Sequence, residues 1–322
     1  MNGQDIVTLV PAYKPTYLPD LLNSLRLQTH KPRKIVFGDD SPDGVYRGTL
    51  MSDAFAPLRQ GLNIECIEGP RRGGMPNLMR LLDRWGGESA LVHLLLDDDV
   101  LYPEFYERHL VAHASGPFSC TVSRRWSAND AGFPVAGQPV PPAVSKSAHR
   151  LLSLDADFVF QTTAMECKNW FGEFSNAIFS AAAVPLLFKP EFGGVSYAGL
   201  WDLGAFMAAS EQAPLGYVQD HLGYFRTGGQ GNSAKFFGKH MKAAHVAYAA
   251  LGLGGLRIGR YTETQARLCF ATVAGALAQR YGSQDDMQPF IALLPRMAAG
   301  EAGAEQAFVD QWHDYLREQD FF

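Results

Sequence analysis

Asp97, Asp98 and Asp99 follow directly on a run, Ala90 to Leu96, that is apolar except for His93. Such a run, bounded by polar residues, reads as a strand buried on both faces, and open α/β sheets bind their ligands beyond the carboxyl ends of such strands. Asp97 and Asp99 are two apart, so at a strand end they can project to the same side. Two carboxylates on one side repel each other unless a cation lies between them, and Mg²⁺ is commonly held by one or two carboxylates together with substrate phosphates. The competing reading is a solvated acidic turn leading into a helix whose first turn carries Pro103 and Glu104.

A second acidic cluster, Asp39-Asp40-Ser41-Pro42-Asp43-Gly44, stands after the strand-like Ile35 to Phe37. Taken alone, this composition is a strong turn signal. Because both clusters fall at the carboxyl ends of expected parallel strands, they point to one cleft. A carboxylate there can accept the imide N–H of uracil or thymine, and Tyr13, after the first strand, can lie against the base. His109 and His113 are spaced to share a helix face but have no further ligands at zinc spacing, so they read as surface residues. Arg124-Arg125-Trp126 reads equally as an acceptor contact or a structural turn.

These residues need strands and helices to place them. Ile6 to Val10 is followed by the helical stripe Leu18, Leu21, Leu22 and Leu25, then by the strand-like Lys34 to Phe37. A helix-length segment from Val45 to Gln60 leads to Asn63–Ile67, then a helix opens near Pro76 with Leu78, Leu81, Leu82 and Trp85 inward. Repeated β-α-β units predict a mostly parallel sheet with right-handed crossovers. After Phe118–Ser123, residues Ser127 to Val144 read as a long Pro-, Gly- and Ala-rich loop, and Asp157–Phe160 as a strand. The glycine-rich stretch Arg226 to Ser233 suits a lid. The last third reads as helical: Thr262 with Gln265 forms a capping box, and Phe308, Trp312, Tyr315 and Leu316 form an apolar stripe that docks on the protein or on a dimer partner.

The 322 residues suggest about two cooperating units. Hydrophobic residues make up 47% and charged residues 19%, which argues against disorder, and a net charge of −5 gives no electrostatic reason to expect nucleic-acid binding. Four scattered cysteines, no signal-peptide pattern and no apolar run of transmembrane length point to the cytoplasm, with peripheral contact at the inner membrane left open.

Four segments in order, Val10-Pro11-Ala12-Tyr13-Lys14-Pro15, Ser24 to Pro32, Val36 to Ser41, and Leu96 to Val100 with Pro103, give the first 105 residues a specific resemblance to the inverting family 2 glycosyltransferases of the GT-A fold, of non-processive, bacterial type. The resemblance implies a Rossmann-like, mostly parallel sheet with a C-terminal helical region. It divides the chain into a nucleotide-sugar-binding half (1–125), an acceptor-binding half (126–238) and a helical region (239–322). By it, Pro11, Tyr13, Asp39 and Asp40 bind the base, Asp97 and Asp99 hold Mn²⁺ or Mg²⁺, and Asp98 lies on the donor. Arg72 and Asn77 would meet the diphosphate, although Arg71-Arg72-Gly73-Gly74-Met75-Pro76-Asn77 departs from the family's Gly followed by Arg-Asn. Asp202 is the implied acceptor base, with Trp201 where a second acid usually stands. His221 would complete the metal shell, and Arg226 and Lys235 would close over the diphosphate. The implied activity moves a sugar from a UDP- or dTDP-sugar to a glycan, glycolipid or protein hydroxyl, in a chain that can dimerise through its C-terminal helices. A silent nucleotide-sugar-binding scaffold and a nucleotidyltransferase stand as alternatives.

Overall fold

The structure is a computed structural model and describes residues 5–227 and 235–321. Its strands are β1 (Ile6–Ala12), β2 (Lys34–Asp39), β3 (Ile64–Glu68), β4 (Leu91–Leu94), β5 (Val100–Leu101), β6 (Cys120–Ala128), β7 (Pro134–Gly137), β8 (Leu151–Leu154), β9 (Ala177–Ser180), β10 (Glu191–Phe192), β11 (Val195–Ser196) and β12 (Leu215–Arg226). Its helices are α1 (Leu18–Arg26), α2 (Val45–Met51), α3 (Ala56–Arg59), α4 (Gly74–Trp85), α5 (Phe105–Ser115), α6 (Pro142–Ser145), α7 (Ala156–Thr162), α8 (Trp201–Gln212), α9 (Lys239–Arg257), α10 (Glu263–Tyr281), α11 (Gln288–Ala298) and α12 (Ala304–Glu318). The chain forms two compact units. The first comprises Met1–Leu154, Phe171–Phe188 and Gln212–Thr227, and the second Asp155–Trp170, Lys189–Glu211 and Gly228–Phe322.

The first unit is built on a sheet ordered β3-β2-β1-β4-β9-β6-β12-β5, with β7 on β6 and β8 on β12. Strands β3, β2, β1 and β4 run parallel, β9 is antiparallel to both its neighbours, and β6 and β12 are parallel again. The order reverses at β1, which lies between β2 and β4, so the crevice expected in a doubly wound sheet opens at their carboxyl ends. Residues of β1 and β4 are buried on both faces, as their apolar runs predict. The expected stripes of α1 (Leu18, Leu21, Leu22, Leu25) and α4 (Leu78, Leu81, Leu82, Trp85) are the buried faces of those helices.

Three expectations are corrected. Asp157–Phe160 is part of helix α7, because Asp155 caps it by accepting from the Phe158 amide at 2.8 Å and so supplies a helix start that the apolar run conceals. The Ser127 to Val144 loop contains the end of β6, strand β7 and helix α6. His109 and His113 are buried rather than at the surface: His109 Nδ1 lies 2.7 Å from Thr121 Oγ1, and His113 Nε2 lies 3.1 Å from the Ile178 carbonyl.

The second unit is dominated by α9 to α12, which share one core. Val246, Ala250 and Leu253 of α9 pack with Phe270, Val273 and Leu277 of α10, Phe290 and Leu294 of α11, and Phe308, Trp312, Tyr315 and Leu316 of α12. The Thr262–Gln265 capping box opens α10 as its sequence predicts. The α12 stripe is spent inside this unit, where Trp312 Nε1 also donates to the Ser196 carbonyl at 2.7 Å. Among the described residues, no helix is long and apolar enough to cross a membrane.

Candidate active site

The switch point between β1 and β4 is closed by Asp97. Its Oδ2 accepts from the amides of Tyr13 at 2.7 Å and Lys14 at 3.1 Å, so the acid after β4 fixes the chain leaving β1. This interaction leaves the Tyr13 side chain half exposed beside the crevice. Burial pushes the Asp97 carboxyl up to about 6, the Asp98 charge adding to the effect and the Tyr13 and Lys14 amides opposing it.

Asp99 is buried, and its Oδ2 has no hydrogen-bond partner. Burial raises its pKa well above the usual carboxylate range, and the charges of Glu173 and Asp98 add to this; the Ser175 hydroxyl and Arg125 act in the other direction. Ser175 Oγ also accepts from the Leu96 amide at 3.0 Å, joining the turn after β4 to the turn at Phe174–Asn176. Glu173, which caps that turn reciprocally with Asn176, lies 3.7 Å from Arg125, whose guanidinium sits 3.4 Å over the Phe225 ring. Arg125 is therefore a buried counter-charge to the acids. Sequence reasoning missed Glu173, Ser175 and the role of Arg125. The available signal was Glu173-x-x-Asn176, a capping pattern inside an aromatic-rich segment.

The second acidic cluster builds loops. Asp39 Oδ1 accepts from the Ser41 amide at 2.9 Å and its hydroxyl at 2.5 Å, while Oδ2 accepts from the Arg47 amide at 2.9 Å at the start of α2. Asp40 accepts from the amides of Arg71 and Gly73, the latter at 2.8 Å, and so holds the loop entering α4. Gly69 in that loop has no room for a side chain: a Cβ would come within 2.9 Å of Asn77 Oδ1, the Asp39 carbonyl and Asp40 Oδ1. Asn77 is buried and donates to the Gly38 carbonyl at 2.7 Å, whereas Arg72 is exposed. Pro11 lies in β1 opposite Gly38 of β2.

His221 sits between two register shifts in β12 and stacks on Trp126 at 4.0 Å and 14°. Among the described residues, no three His, Cys, Asp or Glu side chains are grouped to hold a metal ion, so His221 does not join Asp97 and Asp99 in such a cluster. The acids themselves suit a divalent cation: Asp99 presents an unpaired buried oxygen, and the raised carboxyls lack a full counter-charge. An ion there would draw the rest of its shell from donor phosphates and water.

The sequence model of the family described as Glycosyl transferase family 2 matches residues 8–171, slightly more than half of the chain. The chain is a family 2 glycosyltransferase. No curated protein matches it. Among solved structures, it resembles Staphylococcus aureus TarS at 14% identity and a TM-score of 0.59, covering 98% of this chain but 55% of the TarS chain. It likewise matches TarS residues 1–349 in complex with UDP-GlcNAc (14% identity, TM-score 0.55) and with UDP (14%, 0.56), each over 98% of this chain and 92% of that one. These likenesses carry the GT-A fold. In this glycosyltransferase Asp202 lies in the first turn of α8, its Oδ1 accepting from the Leu203 amide at 2.7 Å. Its charge helps burial to raise the Tyr248 phenol of α9. Lys235 is exposed, and of the stretch Arg226 to Ser233 expected to form a lid, residues 228–233 lie outside the described residues.

Proposed function

We propose that this glycosyltransferase is metal-dependent and inverting, and moves a sugar from a UDP- or dTDP-linked donor to a hydroxyl on a glycan, glycolipid or protein. The observation that carries the reading is the acid cluster at the β1/β4 switch point, with Asp97 bound to the chain leaving β1 and Asp99 holding an unpaired buried oxygen. The UDP and UDP-GlcNAc complexes of TarS support a uridine donor. Donor contacts come from residues 1–125 and acceptor contacts from 126–238. Tyr13 lies against the base, and Pro11, Asp39 and Asp40 shape its site. Bound Mn²⁺ or Mg²⁺, held by Asp97 and Asp99, would neutralise the leaving diphosphate.

Asp202 takes the acceptor's proton as the acceptor oxygen bonds to the anomeric carbon from the face opposite the diphosphate. The carbon–oxygen bond to the diphosphate breaks, and its electron pair leaves with the nucleotide. Calorimetric titration tests the donor half. UDP should bind far more tightly with Mn²⁺ than with EDTA, and Asp99→Ala should remove the difference. Equal affinity in both buffers would refute metal-linked donor binding.

A further inference from the structure

The resemblance implies that Arg226 closes over the donor diphosphate, but the geometry gives it another task. Arg226 ends β12 with only 2% of its side chain exposed. Its Nη1 donates to the Asp98 carbonyl, its Nε to the Asp130 carbonyl at 3.3 Å, and its Nη2 to Asp20 Oδ2 at 2.5 Å. The guanidinium also lies 4.1 Å from the centre of the Tyr17 ring. One side chain thus joins the first turn of α1, the β6–β7 connection and the acidic turn after β4.

We infer that Arg226 is a positioning residue for the donor site, fixing the main chain between Asp97 and Asp99 through the Asp98 carbonyl. The inference rests on reading that turn as the donor site. Asp97 and Asp99 are anchored separately, by the Tyr13 and Lys14 amides and by Ser175, so the carbonyl between them governs how the two carboxylates are disposed. Only a planar, multiply donating group serves all three partners at once; a lysine can reach Asp20 or a carbonyl but lacks the fork. Asp20 matches the charge, so the buried guanidinium is not an unpaired cation.

Two readouts test this. The first is amide hydrogen exchange of the segment 95–101 without any ligand; the second is the Mn²⁺ concentration that half-saturates UDP binding. Arg226→Met should accelerate exchange in the turn and raise the half-saturating Mn²⁺ by about tenfold or more, the range typical of residues that orient metal ligands. Arg226→Lys should fall between Arg226→Met and wild type. Asp20→Asn breaks the pair from its half-exposed side and should shift both readouts in the same direction by a smaller factor; it carries the test if Arg226→Met does not fold. Arg260, which pairs with Glu211 at 2.6 Å and Asp157 at 2.8 Å in the second unit, is the control. Arg260→Met should lower the melting temperature and leave both readouts unchanged. Wild-type exchange of the turn in Arg226→Met, or in Asp20→Asn if the former is unfolded, overturns the inference. A loosened turn in a protein whose wild type shows no metal-linked UDP binding keeps the clamp and refutes the donor reading instead.

Discussion

Asp40 spends both carboxylate oxygens on main-chain amides, those of Arg71 and Gly73. In Asp40→Asn one of those oxygens becomes an N–H donor facing another N–H, a buried mismatch that costs about 1–3 kcal/mol. Chemical denaturation without nucleotide should show that loss, and UDP affinity should fall with it as the loop entering α4 loosens; unchanged stability would mean the loop is held by other contacts. Asp202 should behave differently. Asp202→Asn keeps the side chain's shape, so donor affinity should stay near wild type while turnover falls by about 10²–10⁴-fold, the usual share of a positioned general base. Turnover at the wild-type rate in that variant would take Asp202 out of the mechanism. The acids adjacent in sequence were legible from their place after a strand. Glu173 and Arg125 were not, because what makes them part of the site is the pairing of β9 with β4 and β6, which sets residues 48 to 89 positions apart against each other.

At the scale of elements, the regular patterns were readable: the four-leucine face of α1, the apolar face of α4 and the capping box of α10 all appear where periodicity and caps place them. Reading failed where one local signal outweighed another, as in α7, where a capping aspartate turns a strand-like run into a helix. It failed again for His109 and His113, because a histidine with a fixed hydrogen-bond partner can be buried neutral, and its partners lie on other elements. Burial holds the His113 ring down to about 4, with the Ile178 carbonyl partly opposing the shift. The sign follows from the proton balance. Below about pH 6.5 the unfolded chain takes up a proton there that the folded one refuses, so this group's contribution to stability is lost as pH falls, by about 1.4 kcal/mol per unit until the folded value is reached. Asp97 and Asp99 shift the opposite way and gain stability on acidification, so total stability is a poor readout. His113→Gln removes the histidine term, and urea titrations from pH 7 to 4.5 should show the gap between wild type and variant moving steadily in the variant's favour. A constant gap would mean that His113 titrates normally in the fold.

For the whole molecule, composition was informative about class and silent about connectivity. The chain divides into two compact units, and each is assembled from three separate stretches of chain. Hydrophobic patterning reports which faces are buried and carries no record of which distant stretch buries them. The consequence is temporal. A ribosome delivers β1 to β6 first, yet β4 and β6 do not touch in the sheet order: β9 must be inserted between them, and β12 must then add to the outer side of β6. Until β9 has emerged the nascent sheet has a gap in its middle, and until about residue 227 has emerged it has an open hydrophobic edge, states in which a chain is prone to capture by neighbours. Residues 1–125 expressed alone should therefore aggregate or remain loosely structured, with rapid amide exchange in Cys120 to Arg125, the part of β6 they contain, whereas the same residues in the full chain are protected. A soluble, cooperatively melting fragment would show that the strands before β9 hold together without their central partner.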